Sequence, residues 1–304
     1  METISIENGE LRAEIKVHGA ELKSLMRKSD GQELMWEADS NYWGKTSPIL
    51  FPFIGKLEGE NYRYGGQTYP AEKHGFARDM DFAVAEKEDS RVVFAIESND
   101  TTLEKYPFSF RLEMEYRLEG AALQAQYRVT NKGENPMYFS LGGHPAFACP
   151  LLVNGKRAGK RTDGSTIHLY GENHKPLATD SLQATEINVH KGLLTGEQYE
   201  VAMKQGVIPI VDHIFDKDAL CFADQGVREV GIADAAGREY IRMAADCPVW
   251  GIWSMPMSDA SYVCIEPWWG VCDTEGYEGT LEERPYTNQV AKGETWQHGF
   301  TLYI

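Results

Sequence analysis

At 304 residues the chain suits one large domain or two ordinary ones, and with 42% hydrophobic and 25% charged residues it has the composition of a globular protein. Its formal charge of −16 would repel both nucleic acid and an anionic membrane surface, so neither is expected as a partner. No apolar run approaches the roughly 18 residues of a membrane span, and the opening METISIENGELRAEI lacks the basic and apolar regions of a signal peptide.

Short strands separated by turns begin at once. Thr3–Ile6 leads to Asn8-Gly9, a hairpin signal, and Leu11–Val17 alternates apolar and polar. His18-Gly19 precedes another strand over Glu21–Met26, and His18 itself is expected at a turn or on the surface. The stretch SPILFPFIGKLEG from Ser47 is apolar, carries two prolines, and delivers Lys56 just past Gly55. In YPAEKHGFARD, over 69–79, Gly75 frees the backbone beside His74, with Arg78 four residues on. Val92–Ser98, Phe108–Leu118 and Ala122–Asn131 alternate as strands do, and Asp100–Lys105 predicts one helical turn capped by Asp100.

The stretch YFSLGGHPAFACP, over 138–150, runs through Gly142-Gly143 to His144 and is stopped by Pro145. The glycines leave room beside the imidazole, and the proline biases His144 towards extended geometry. Beyond it, Asn154–Lys191 is polar and turn-rich and predicts a long surface excursion, while Thr195–Gln205 is the best helical candidate. Strand patterns resume at Ala219–Phe222, Val227–Ala233, Arg238–Met243 and Val249–Met255, and Glu294–Ile304 closes the chain. Between them YVCIEPWWG, over 262–270, repeats the earlier form: Glu266 precedes a proline and then meets two tryptophans. With no linker or low-complexity tract, residues 1–304 read as one all-β domain, an enlarged β-sandwich with very little helix.

A histidine and a carboxylate, each fixed before a proline, point to acid–base chemistry on a ligand that favours aromatic faces. Trp250, Trp253, Trp268 and Trp269 offer such faces, at least two of them being expected in the core. Asp273 is an alternative partner for Glu266 in glycoside hydrolysis, but acidic residues are common here and the signal is weak. No HxH or HExxH pairing calls for a metal, and no nucleophile elbow is present. Cys149, Cys221, Cys247, Cys264 and Cys272 lack CxxC spacing and lie mostly in apolar runs, so buried, reduced thiols in a cytoplasm are expected.

HGFARD at 74–79, SLGGHPAF at 140–147, DHIF at 212–215 and IEPWWG at 265–270 together resemble the aldose 1-epimerase (galactose mutarotase) family, and its LacX-like branch in particular. The resemblance extends to GETW at 293–296 and covers essentially the whole chain. It implies a β-supersandwich and a cofactor-free interconversion of hexose anomers. It also implies roles: Glu266 as general base at the C1 hydroxyl, His144 as general acid at the ring oxygen, and His74 as a hydrogen-bonding group at the reacting end. Asp212 falls where the family has a hydroxyl-binding aspartate. Lys56 stands where the family usually has arginine, keeping the charge but losing the planar fork. Trp268 is expected against the sugar, and Lys56 with Arg78 would serve as phosphate contacts if the substrate were a hexose 6-phosphate. A sugar-binding protein that keeps the fold without turnover is the remaining alternative.

Overall fold

A computed structural model describes residues 2–152 and 159–304. Two large antiparallel sheets dominate it. The nine-stranded sheet has Phe110–Glu119, Ala122–Asn131 and Thr295–Tyr303 at its centre, and the eight-stranded sheet is built around Val249–Trp253 and Tyr262–Trp269. A four-stranded N-terminal sheet and two short ribbons complete the sandwich.

The alternation read from the sequence becomes the core. Leu112, Met114, Tyr116 and Leu118 from one strand, with Leu123, Ala125, Tyr127 and Val129 from the next, turn the same way and are buried. They meet Val263, Ile265 and Trp269 of the other large sheet in one continuous apolar cluster. The Asn8-Gly9 turn joins Thr3–Glu7 to Leu11–Lys16 in an antiparallel hairpin.

Three local expectations differ from the fold. Leu194–Ala202 is a strand paired with Ser181–Ile187 rather than a helix: Thr195, Tyr199 and Val201 suit a pleated surface, and the waiting sheet edge overrides a weak helical period. The polar stretch after residue 153 is not a continuous excursion; residues 153–158 lie outside the described ones, but Thr166–Tyr170 joins the nine-stranded sheet and Ser181–Ile187 the eight-stranded one. The helix Asp100–Lys105 is capped by Asn99, whose side chain accepts the Thr102 N–H while Thr102 accepts the Asn99 N–H. All five cysteines are buried free thiols, and no helix among the described residues is long and apolar enough to cross a membrane.

Candidate active site

Tyr262–Trp269 is buried at every residue. Alternate side chains point opposite ways, so Val263, Ile265 and Trp269 fill the core between the sheets while Cys264, Glu266 and Trp268 point away from it. Leu141–Gly143 pairs with this strand through Gly142 and Trp268, and Ala146–Ala148 pairs through Ala146 and Cys264. The same register carried across the gap sets His144 opposite Glu266. The ladder breaks there because Pro145 and Pro267 have no N–H to give. The His144 N–H points to the other side of its strand and donates to the Pro48 carbonyl at 3.2 Å.

The result is a close acid–base pair: His144 Nε2 lies 3.3 Å from Glu266 Oε1. Trp268 donates its indole N–H to Glu266 Oε2 at 3.2 Å. The glycines beside the histidine serve a different purpose from the one the sequence suggests. Gly142 and Gly251 make room for the Trp268 indole, and Gly143 makes room for the Tyr127 hydroxyl, against which any Cβ would collide.

His74 enters from a loop at right angles. Its backbone is left-handed, φ +66°, and the following Gly75, φ +68°, passes so close to Phe51 that a Cβ would lie 2.1 Å from the Phe51 carbonyl oxygen. The ring is fixed by the Gly55 N–H, which donates to Nδ1 at 3.0 Å. A backbone N–H can only donate, so Nδ1 is unprotonated and the neutral ring carries its hydrogen on Nε2. His74 and His144 meet edge to face, centroids 5.7 Å apart.

Burial governs the titration. It pushes Glu266 well above the ordinary carboxylate range, against the pull of the Trp268 hydrogen bond. Burial, then the Lys73 and Arg78 charges, lowers His144 to about 3. His74 is held well below its ordinary value by burial first and His144 second. The site therefore favours an uncharged imidazole beside an uncharged carboxylic acid.

One cavity is lined by His74, Arg78, His144, Glu266 and Trp268, together with Trp43, Lys73, Asp218 and Trp253. Of the four tryptophans that the sequence offers, Trp253 and Trp268 line it, while Trp250 and Trp269 are buried in the core. Lys56 is not among its lining residues: its stem runs past Gly192 and its ammonium sits 3.5 Å from Glu60. Asp212 is exposed at a separate depression with Arg161 and Phe215, because the turn between Asp212 and Asp218 carries the chain away from the cavity before returning. Asp218, six residues on with φ +65°, is the aspartate that lines the cavity; burial raises its carboxyl above the usual range. Asp273 grips Arg284 at 2.7 and 3.0 Å, both buried, and so braces the loop instead of facing Glu266. Trp43, Lys73 and Asp218 escape a reading of the sequence. Each comes from a loop, where no periodicity marks which way a side chain points.

Among the described residues, His144, Cys264 and Glu266 form the group able to offer metal donors, with atoms within 4.8 Å of one another. The Cys264 thiol is fully buried, and burial holds it firmly protonated, well above its ordinary value.

The sequence matches the family model for aldose 1-epimerase over residues 2–303. Two proteins of Lactococcus lactis subsp. lactis, Protein LacX from plasmid and from chromosome, are 27% identical over 315 residues, with 99% of each chain covered. Among solved structures, a galactose mutarotase related enzyme from Lactobacillus acidophilus is 30% identical with a TM-score of 0.88, covering 99% of this chain and 97% of its own. A galactose mutarotase-like protein from Lactobacillus casei is 31% identical with the same TM-score, covering 99% of both chains.

Proposed function

The chain belongs to the aldose 1-epimerase family, and we propose that it interconverts the α and β anomers of a hexose by acid–base ring opening and reclosure. The observation that carries this reading is the 3.3 Å between His144 Nε2 and Glu266 Oε1. Ring opening takes a proton from the C1 hydroxyl and gives one to the ring oxygen. Both oxygens are bonded to the same carbon, so the base and the acid must stand side by side on one side of the sugar. A pair 3.3 Å apart meets that demand, whereas carboxylates set up for glycoside hydrolysis stand roughly 5 to 9.5 Å apart.

The steps balance within the pair. Glu266 first passes its proton across 3.3 Å to His144. The carboxylate then accepts the C1 hydroxyl proton as the carbonyl forms, and the imidazolium protonates the ring oxygen as the C1–O bond breaks, which returns the pair to its neutral state. Rotation about C1–C2 and attack of the returned hydroxyl on the other face, with the roles reversed, gives the second anomer. His74, with its hydrogen on Nε2, donates to an oxygen at the reacting end. Asp218 can accept from a ring hydroxyl, and Trp253 and Trp268 offer apolar surface to the ring. A positioned acid and base each contribute roughly 10²–10⁴-fold, and no metal or cofactor enters the scheme.

A second reading, a hexose-6-phosphate 1-epimerase, is favoured by one feature. Lys73 and Arg78 line the cavity, and the buried Arg78 Nε makes no hydrogen bond, its approach to Asp79 at 3.3 Å being an ion pair alone. Anomer exchange followed by NMR on a panel of neutral aldoses and their 6-phosphates, with Glu266→Gln as the control, tests both. No exchange above the spontaneous rate with any sugar would leave only a binding role.

A further inference from the structure

Residues 36–47 form no extended strand, yet the segment is tied down along its length. The Trp43 N–H donates to the Asp39 carbonyl at 2.9 Å, and the Trp36 indole donates to the Trp43 carbonyl at 2.9 Å. The Tyr42 hydroxyl reaches Asp259 at 2.8 Å, and Lys45 reaches Asp79 at 3.0 Å. The buried Glu21 carboxylate receives the Thr46 hydroxyl at 3.0 Å and the Ser47 N–H at 3.1 Å. This pinned loop presents one side chain to the acid–base pair. The Trp43 indole lies over the His144 imidazole with centroids 4.7 Å apart and planes inclined by 28°. Trp253 meets the same imidazole edge-on, at 5.6 Å and 85°.

A histidine that moves protons is usually oriented by a hydrogen bond at its other nitrogen. His144 has none: its Nδ1 is buried and unpartnered. We propose that Trp43 is a positioning residue for the proton transfer, its indole face holding the His144 imidazole in line with the sugar ring oxygen and stabilising the imidazolium formed there. The inference rests on His144 acting as the proton donor.

The groups around His144 make such help necessary. Lys73 and Arg78 oppose a positive charge on the imidazole, and the His74 ring is held neutral 5.7 Å away. Cys264 lies nearby as a buried thiol, and Tyr262 also stacks against Trp43 as an uncharged phenol. Glu266 at 3.3 Å supplies the counter-charge only after giving up its own proton, and Asp218 shares the cavity as a carboxyl that burial keeps towards its neutral form. The negative face of an indole attracts a cation without itself titrating.

Three chains test this: wild type, Trp43→Phe and Trp43→Leu, each with kcat, KM, a pH–rate profile and a ¹⁵N NMR titration of His144 assigned with His144→Asn. The expected result for leucine is a kcat lower by about tenfold, KM within about twofold, and an imidazole protonating about one pH unit lower; phenylalanine recovers most of the loss. A leucine chain with wild-type kcat and wild-type His144 titration overturns the proposal, as does a change confined to KM, which would make the indole a platform for sugar. Should the leucine chain not fold, nuclear Overhauser cross-peaks between the Trp43 and His144 rings in sugar-saturated wild type decide instead: cross-peaks that survive saturation support the clamp, and cross-peaks that vanish refute it. The ¹⁵N titration needs no turnover, so failure of the epimerase reading and failure of the Trp43 role remain separate results.

Discussion

Gly142 stands directly across the sheet from Trp268, and a Cβ on that glycine would lie 2.9 Å from the indole ring. On the far side Gly251 is opposite Glu266, where a Cβ would come within 2.5 Å of the same indole. The indole is thus threaded between two residues without side chains, and this lets its N–H reach Glu266. The hydrogen bond favours the carboxylate form and opposes the rise that burial imposes. Trp268→Phe keeps the bulk and loses the donor, so Glu266 should hold its proton to still higher pH. The expected outcome is a loss of about tenfold or more in kcat, with the alkaline limb of the pH profile moved upward. Gly142→Ala should lower kcat in the same way through displacement of the indole. An unmoved limb in Trp268→Phe would show that the indole does not tune the base.

The pH profile itself should report the pair and not either group alone. On the proposed mechanism turnover needs a single proton on the His144–Glu266 pair, whichever group holds it, so the limbs belong to the pair. The sequence suggests a carboxylate limb at acid pH and a histidine limb at alkaline pH. Burial reverses the order. His144 takes a second proton only near its lowered value of about 3, and Glu266 gives up the shared proton only well above the ordinary carboxylate range. Rates measured from about pH 3 upward should therefore lack an acid-side step at the usual glutamate value near 4.3. Such a step, or loss of activity to a chelator with recovery on zinc, would contradict this account and turn attention to the His144, Cys264 and Glu266 donors.

The legible and the illegible parts of this protein divide along a physical line. Phe110–Glu119 and Ala122–Asn131 are plain in the sequence because one face of each is buried, and a period of two cannot arise otherwise over ten residues. His144 and Glu266 stand out because prolines follow them and glycines or tryptophans flank them. The purpose of the glycines is hidden, since their neighbours Trp268 and Tyr127 come from distant strands. The stretch VDHIFDKDAL holds three aspartates, and composition alone cannot say which faces the cavity. Left-handed turns at His213 and Asp218 make that choice, exposing Asp212 and bringing Asp218 in. Lys73 and Trp43 likewise owe their positions to loops whose geometry depends on tertiary contacts such as Glu21 with Thr46.

Glu266→Gln should abolish catalysis and leave the fold intact. The amide matches the neutral pair: its oxygen can accept from Trp268, and its NH₂ can donate to His144 Nε2. In wild type, the raised Glu266 value means that its stabilising contribution is full below the unfolded carboxylate value of about 4.3, and is lost as pH rises through the folded value. The glutamine chain has no such loss. Its Tm should therefore match wild type at about pH 4 and exceed it increasingly as pH rises towards the folded value, while anomer exchange falls by roughly 10²–10⁴-fold. A Tm difference that shrinks with rising pH would mean Glu266 is already charged in the folded chain.

The choice between neutral and phosphorylated sugar turns on Lys73 and Arg78. Both line the cavity, whereas Lys56, which the sequence suggests beside Arg78, is absent from the lining and pairs with Glu60. Lys56→Met should accordingly change neither kcat nor KM by more than about twofold. Arg78 Nε is paired with Asp79 at 3.3 Å, and Asp79 is also held by Lys45. A dianion entering the cavity would have to share Arg78 with that carboxylate and approach Asp218 and a chain of formal charge −16. We therefore expect neutral hexoses to have kcat/KM at least equal to that of their 6-phosphates, with little dependence on salt between about 0.05 and 0.5 M. Lys73→Met and Arg78→Met should then alter kcat/KM for a neutral hexose only modestly. The opposite pattern has a clear signature: a large preference for the 6-phosphate, weakened by salt and lost in either methionine variant. Arg78 Nε, which makes no hydrogen bond despite its ion pair, would then be the phosphate donor, and neutral hexoses would be poor substrates because they leave it unsatisfied.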